Sequence, residues 1–193
     1  FRRVLFRSWN SLMPPGIIDT AIIGTGLTVN VNGAKAFAGT LIMNAGSTVN
    51  LTAGSDSLFV ETELKGQTAT GNGVVVLKNS SGNAINISSA FTASNVNVQQ
   101  KVSLLSPLTI NNTLNLTNNA RLSLNANNVV LAGSTSTISG DASNYVVTNG
   151  TGSLVIQNIG TTGRTAAVQF PVGTNTSYNP ARSEEHTSEL QSH

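Results

Sequence analysis

Glu61 and Glu63 form the one close pair of acids in the central part of the sequence. On an extended strand, side chains two residues apart share a face and lie about 6–7 Å apart. Two carboxylates at that separation could serve a glycosidase or contribute to a Ca²⁺ site. Lys65 would continue the same face and could neutralise them, as on a solvated polar strand edge. The pair is the catalytic candidate of this sequence, with the solvated edge as its alternative.

Other groups that could carry chemistry are scarce. Residues 9–181 contain neither Cys nor His, so they supply no thiolate or imidazole for a metal site or a nucleophile–base pair. We therefore expect no metal, no cofactor and no enzymatic activity. The alternative is a fragment of a carbohydrate-active β-helix enzyme, a lyase or hydrolase, that uses Glu61 and Glu63.

Threonine and serine offer a third chemistry, because a flat hydroxyl-bearing face could contact a glycan or ice. The candidates are Thr28, Thr109, Thr113, Thr117 and Ser134–Thr137. Threonine is also a good strand former in its own right. No regular Thr-x-Thr array is visible, and a glycan- or ice-binding face stays an alternative.

The elements that must position these residues are clearest between Leu108 and Gly140. Apolar residues two apart recur there every six to eight residues, separated by Asn-rich corners. Two-residue spacing places both members of a pair on one face of a strand. The pairs are Leu108 and Ile110, Leu114 and Leu116, Leu122 and Leu124, and Val129 and Leu131, followed by Ile138 alone.

Strands this short and this closely spaced favour an all-β fold in which three strands make one turn. We predict a right-handed parallel β-solenoid (β-helix) of irregular turns, with an antiparallel β-sandwich as the alternative. At about 20–25 residues per turn, Ala21–Gly140 would hold five or six turns. Asn suits the corners, because it tolerates left-handed backbone and its amides can stack as hydrogen-bonded ladders.

The two ends of the chain have a different origin. FRRVLFRS at residues 1–8 and RSEEHTSE at residues 182–189 can be encoded by complementary strands of the same DNA, codon for codon. The ends therefore look like a sequencing adapter translated once in each direction, with residues 190–193 continuing it. We expect segments of foreign origin to carry no information about the native fold. We expect the remaining segment to be an internal piece of a longer protein.

Without these ends the chain loses its apparent basicity. They contain four of the 10 Lys and Arg residues, three of the 8 acids and both histidines. The rest is nearly neutral, so nothing indicates nucleic acid or an anionic membrane as a partner. No apolar run is long enough to span a bilayer. The predicted organisation is solenoid turns over 9–140, then a terminal turn and the start of a β-rich domain over 141–181.

The residue pattern changes after Gly140. Tyr145–Leu154 reads YVVTNGTGSL, Phe170–Thr174 reads FPVGT, and Ser177–Ala181 reads SYNPA. This combination resembles large secreted surface proteins of the Bacteroidota type, in which an Asn/Thr/Gly-rich β-solenoid runs into such a junction. The resemblance implies a secreted or cell-surface location and a sorting domain for type-nine secretion further on.

These observations together predict a non-enzymatic, adhesin-like stalk segment. Its expected partners are surface glycans, other surface proteins and the remainder of its own chain, and we expect no membrane insertion in this segment. The alternatives are the carbohydrate-active enzyme fragment and a glycan-binding face.

Overall fold

The computed structural model describes residues 3–6, 15–157 and 167–183. Much of both predicted adapter stretches and residues 158–166 lie outside these ranges. The described part contains strands and corners but no helix. The strands are β1 (Arg3–Phe6), β2 (Thr20–Ile23), β3 (Thr28–Val31), β4 (Lys35–Met43), β5 (Thr48–Leu51), β6 (Ser57–Lys65), β7 (Thr68–Gly71), β8 (Val74–Leu77), β9 (Ile85–Ile87), β10 (Phe91–Val98), β11 (Lys101–Leu104), β12 (Leu108–Leu116), β13 (Arg121–Ser123), β14 (Val129–Leu131), β15 (Thr137–Ser139), β16 (Tyr145–Val147), β17 (Leu154–Ile156), β18 (Gln169–Phe170), β19 (Val172–Gly173) and β20 (Ala181–Arg182).

Eighteen of these strands belong to one sheet, which winds around a single core as a β-solenoid of about six turns. Each strand pairs in parallel with strands of the turns before and after it. Parallel pairing between successive turns is the hydrogen-bonding pattern predicted for the solenoid, and it excludes the antiparallel sandwich. The remaining two strands, β18 and β20, form a small antiparallel pair after the last turns.

The sheet has three faces, which we number in the order that the chain visits them. Face 1 comprises β1, β2, the second parts of β4 and β6, β9, β11, β13, β16 and β19. Face 2 comprises β3, β5, β7, the first parts of β10 and β12, β14 and β17. Face 3 comprises the first parts of β4 and β6, β8, the second parts of β10 and β12, and β15.

The core is a set of aliphatic columns running along the solenoid. On face 1, Leu41 pairs with Leu64, Leu64 with Ile87, and Ile87 with Leu104. All four side chains are buried. Each such side chain contributes about 1.5–3 kcal/mol when it is withdrawn from water. The apolar pairs predicted between Leu108 and Leu131 are likewise buried, so the pattern read from the sequence is the core pattern.

Asn and Gly form the corners, as predicted for Asn. Asn118, Asn119 and Asn125 have positive φ angles of 57°, 63° and 53°. A left-handed backbone is costly for most residues and cheaper for Asn, so these residues permit sharp corners. The predicted amide ladder also forms, since Asn50 Nδ2 donates to Asn30 Oδ1 of the previous turn over 3.0 Å.

The solenoid continues past residue 140. The strands β16 and β17 add another turn to faces 1 and 2, and β19 then pairs with β16. The pairing of β18 with β20 departs from the solenoid pattern. The domain boundary at residue 140 and the foreign origin of the two ends stay predictions. Within the predicted adapter stretch, Arg3–Phe6 lies in parallel along β2.

Candidate functional site

Glu61 and Glu63 lie on different parts of the surface. The register of β6 against β4 shifts after Val60, where the chain turns from face 3 to face 1. Glu61 is in this corner, whereas Glu63 pairs with Thr40 on face 1. The two acids therefore do not occupy consecutive outward positions of one flat strand, because the strand that carries them bends between them.

Their contacts also differ. The Glu61 carboxylate accepts a hydrogen bond from Ser80 Oγ over 3.1 Å. The Glu63 carboxylate accepts one from Ser88 Oγ over 2.7 Å and lies 3.5 Å from Lys65 Nζ. Within the described ranges, no three acidic, His or Cys side chains come close enough to hold a metal ion. The arrangement matches the neutralised polar edge better than an acid–base pair.

Asp56 is the one acid in the described ranges that is fully withdrawn from solvent. Its carboxylate accepts the backbone N–H of Ala53 in its own corner and that of Gly33 in the previous turn, both over 2.7 Å. Hydrogen bonds to an ionised acceptor are stronger than neutral ones. Asp56 thus fastens two turns together at the corner between faces 2 and 3, and its position inside the solenoid keeps it from any substrate.

The junction after Gly140 has its own network. Arg121 lies over the ring of Tyr145, with 3.9 Å between the guanidinium carbon and the ring centroid. The same guanidinium donates to the carbonyls of Ala120 and Ser143. The ring of Tyr178 also contacts Tyr145, with 5.5 Å between the two ring centroids. The network joins the junction motif to the last turns.

Asp141 lies in the same corner and accepts hydrogen bonds from its neighbours. Its carboxylate accepts the backbone N–H of Ser143 over 2.7 Å and the side-chain amide of Asn144 over 2.9 Å. These hydrogen bonds favour the ionised form and hold the pKa of Asp141 below its ordinary value. The Asn144 side chain also accepts the buried backbone N–H of Ala120 over 3.0 Å. The polar groups of the corner therefore satisfy one another.

Close packing accounts for two glycines of the junction motif. A Cβ on Gly150 would lie 2.2 Å from the carbonyl oxygen of Asn125 in the turn below. A Cβ on Gly173 would lie 2.3 Å from the carbonyl oxygen of Ser177 and 2.8 Å from the ring of Tyr145. Any side chain there would push the turns apart, so the motif is explained by stacking without a ligand.

The Thr and Ser residues that were candidates for a hydroxyl-bearing surface lie on different faces of the solenoid. Thr28 and Thr109 lie on face 2, Thr113 lies on face 3, and Thr117 lies at the following corner, where it bonds to Asn97 Oδ1 over 3.0 Å. The end of Ser134–Thr137 begins β15 on face 3. These residues therefore do not form one common surface.

Face 2 nevertheless carries an ordered array of threonines that no Thr-x-Thr pattern reveals. Between Thr28 and Thr109, face 2 stacks three further threonines, Thr48, Thr68 and Thr92, at equivalent positions of successive turns. The array runs across turns and not along a strand, which is why a search for Thr-x-Thr misses it. The first three members of the array do have a sequence signal. Thr28, Thr48 and Thr68 are evenly spaced in the sequence, and each follows a Gly by two positions.

The cavity at the first turn offers no chemistry. It opens onto the core, and its walls are Pro15 and aliphatic and aromatic side chains of β2 to β6, including Ile23, Val31 and Leu58. No acid, base or nucleophile lines it. The cavity lies at the first-turn end of the hydrophobic core.

Comparison of this chain with known protein families, curated proteins and solved structures finds no match. Across the described strands and corners there is also no helix long and apolar enough to cross a membrane.

Proposed function

We propose that this chain is a non-enzymatic, adhesin-like stalk segment of an exported cell-surface protein. The observation that carries the proposal is the single core that continues through about six parallel turns. A solenoid of this kind grows along one axis, because each turn contacts only its neighbours. Such an element holds whatever is attached to its ends at a fixed separation.

The dimensions suit that role. Adjacent parallel strands lie about 4.8 Å apart, so six turns extend the solenoid by roughly 30 Å. The fastening of one turn to the next by Asp56 and by the Asn30–Asn50 amide pair resists separation along the axis. The Tyr145 network does the same at the junction. Rigidity along the axis is the property that a stalk needs.

Its proposed partners follow from its surface. Charges of both signs are few and nearly balanced in residues 9–181, which favours neutral contacts such as surface glycans or other surface proteins over nucleic acid. The proposed location is secreted or on the cell surface, without membrane insertion of this segment. The remainder of a longer chain is the third proposed partner.

The test is to recover the complete reading frame and tag the solenoid region in the cells that carry it. We expect a protease or antibody added to intact cells to reach the tag. A periplasmic or cytoplasmic protein of the same cells serves as a protected control. Protection of the tag until the cells are lysed would contradict the proposed location.

The enzymatic alternative has its own experiment. The complete protein is incubated with acidic and neutral polysaccharides, alongside its Glu61→Gln and Glu63→Gln variants. The stalk proposal expects no depolymerisation by any of the three proteins. Depolymerisation by the wild type that both variants lose would replace the stalk with a carbohydrate-active enzyme.

A further inference from the structure

Five threonines occupy one column on the outer side of face 2. Thr28 pairs with Thr48, Thr48 with Thr68, Thr68 with Thr92, and Thr92 with Thr109, so the column crosses five consecutive turns without a gap. Thr28 is exposed and the other four are half-buried. The order of the column comes from the backbone register.

The hydroxyls of this column are free to bind something outside the protein. None of these five side-chain hydroxyls has a protein hydrogen-bond partner in the part of the chain that the structure describes, although their backbone groups take part in the sheet. Elsewhere, the hydroxyls of Thr70, Thr117 and Thr148 do bond to protein oxygens. Threonine is β-branched and rotates little about its first side-chain bond. The column therefore presents a row of hydroxyl and methyl groups in similar orientations.

A second column runs beside the first, two residues further along each strand. It contains Asn30, Asn50 and Thr70 in the first three turns. Its members are fixed to one another, because Asn50 donates to Asn30 Oδ1 over 3.0 Å and accepts from Thr70 Oγ1 over 3.4 Å. Face 2 thus has two parallel polar rows, of which one is internally bonded and the other is open.

The two rows define a two-dimensional array with two repeats. Neighbouring parallel strands are about 4.8 Å apart, and positions two residues apart along a strand are separated by about 6.6 Å. The pairing of β3, β5 and β7 shows no register shift, so both repeats persist across these turns. Repeats of this size are close to those of the oxygen lattice on the prism faces of hexagonal ice.

The composition of face 2 favours ordered water over a glycan. The outward positions of β3, β5 and β7 and of the face 2 parts of β10 and β12 are Thr or Asn, without a charge. Charged groups would orient nearby water around themselves and disturb a lattice. Sugar rings commonly stack on exposed aromatic rings, whereas the aromatic side chain of these segments, Phe91, is buried in the core.

We infer that face 2 is an ice-binding face, on which the threonine column anchors lattice-ordered water. The free hydroxyls continue the water lattice, and the methyl groups between them favour ordered water in the intervening spaces. This inference goes beyond the proposed stalk and does not depend on it. A cytoplasmic location would refute the stalk and leave the surface chemistry of face 2 unchanged.

The experiment measures thermal hysteresis and inhibition of ice recrystallisation with the purified 193-residue chain. We expect both activities in the wild type and a severalfold loss in Thr48→Lys, which places a charge inside the column between Thr28 and Thr68. Thr68→Val, which keeps the shape and removes one hydroxyl, should lose less. The matched control is Thr137→Lys, an exposed threonine on face 3, which should keep wild-type activity.

Circular dichroism and thermal melting verify that each variant folds like the wild type. A folded wild type without either activity would overturn the inference, and so would equal losses in Thr48→Lys and Thr137→Lys. Binding to insoluble cellulose or chitin that Thr48→Lys abolishes, with no effect on ice, would also overturn it and assign face 2 to a crystalline glycan.

Discussion

The first turns of the solenoid and its last turns share one core but differ in their corners. On face 2, Thr28, Thr48 and Thr68 follow one another at equal intervals along the chain. Near the end, the interval from Arg121 to its partner Tyr145 is longer. The late strands are no longer than the early ones, so the additional residues enlarge the corners. The strands and their core determine the stacking, and the corners determine what each region presents to solvent.

The corners of the two regions differ in length and in their contacts. In the early turns, short corners keep outward residues in register and produce the regular rows of face 2. In the late turns, the longer corner around Asp141 folds back on the preceding turn and bonds to Ala120 and Arg121. The early turns thus have a regular surface, whereas the late turns have specific side-chain hydrogen-bond networks. The following experiments test whether the two regions share a core while differing at their corners.

The largest effect is expected in the core, and it should be similar in both regions. Leu51 in the early turns and Leu122 in the late turns are both buried. Replacing either with Ala removes buried methyl groups and leaves a cavity, which costs about 2–5 kcal/mol of unfolding free energy. Urea denaturation monitored by circular dichroism measures the loss. As a control, Thr137→Ala at an exposed position should change it by about 0.5 kcal/mol or less.

A large cost at one leucine and a small cost at the other would show that the two regions do not share a cooperative core. Two separate unfolding transitions would lead to the same conclusion. Repeat folds can lose cooperativity in this way, because each turn contacts only its neighbours.

A smaller but still substantial effect is expected at the early corner held by Asp56. Asp56→Ala removes the buried carboxylate that accepts the N–H groups of Gly33 and Ala53. Gly33 is exposed and Ala53 is half-buried, so water replaces part of each hydrogen bond, and we expect a loss of about 1–3 kcal/mol of unfolding free energy. Chemical denaturation provides the measurement. Ser55→Ala, at the neighbouring exposed position, is the control and should change little. Equal stability of Asp56→Ala and wild type would exclude the fastening role.

The core could be predicted from the sequence because alternation is a local signal. The apolar pairs from Leu108 to Leu131 are two residues apart, and that spacing alone places them on the buried side. Solenoid stacking followed from the short strands and the Asn-rich corners. Register could not be predicted in the same way, since turn length varies along the chain. The interval between the paired residues Val146 and Val172 is much longer than that between Ile85 and Val102.

The surface depends on register, which is why it was predicted less well. The Glu61 and Glu63 pair was placed on one flat face because nothing local shows that β6 bends between them. Thr28 and Thr109 were identified as single residues, and only the pairing of distant turns makes them parts of one column. Asp56 was overlooked for the same reason, as one of its partners lies in the preceding turn. Contacts between turns are long-range in sequence and leave no local pattern.

At the late corner we expect a moderate loss of stability from Arg121→Ala. The change removes the guanidinium from the face of Tyr145 and its hydrogen bonds to the Ala120 and Ser143 carbonyls. A cation over an aromatic ring contributes about 0.5–1 kcal/mol at a partly exposed site, and the two partly solvated hydrogen bonds together add a similar amount, so the variant should lose about 1–2 kcal/mol of unfolding free energy. Lys101 occupies the paired position one turn earlier and is exposed, so Lys101→Ala is the matched control. Thermal and urea unfolding of both variants would show no difference if the late corner had no specific network.

The smallest losses of unfolding free energy are expected for the Asn side chains that bond between turns. One such Asn in the early turns can be compared with one in the late turns. Among the described residues, the Asn50 side-chain amide bonds to two side chains, those of Asn30 and Thr70, and to no backbone group. Asn149 donates to Asn125 Oδ1 over 2.8 Å and also accepts the backbone N–H of Asn125 over 2.9 Å. Both ladders are near solvent, so water replaces part of what a substitution removes.

We therefore expect Asn149→Ala to cost about 0.5–1 kcal/mol and Asn50→Ala about 0.5 kcal/mol or less, because one variant frees a backbone N–H and the other does not. Asn50→Ala should also leave the threonine column of face 2 in place, whereas Asn149→Ala loosens a left-handed corner at Asn125. Unfolding free energies from urea titrations, with amide hydrogen exchange at Asn125, resolve the difference. A larger cost for Asn50→Ala would mean that the regular early face depends on its side-chain ladder, and that short corners alone do not produce it.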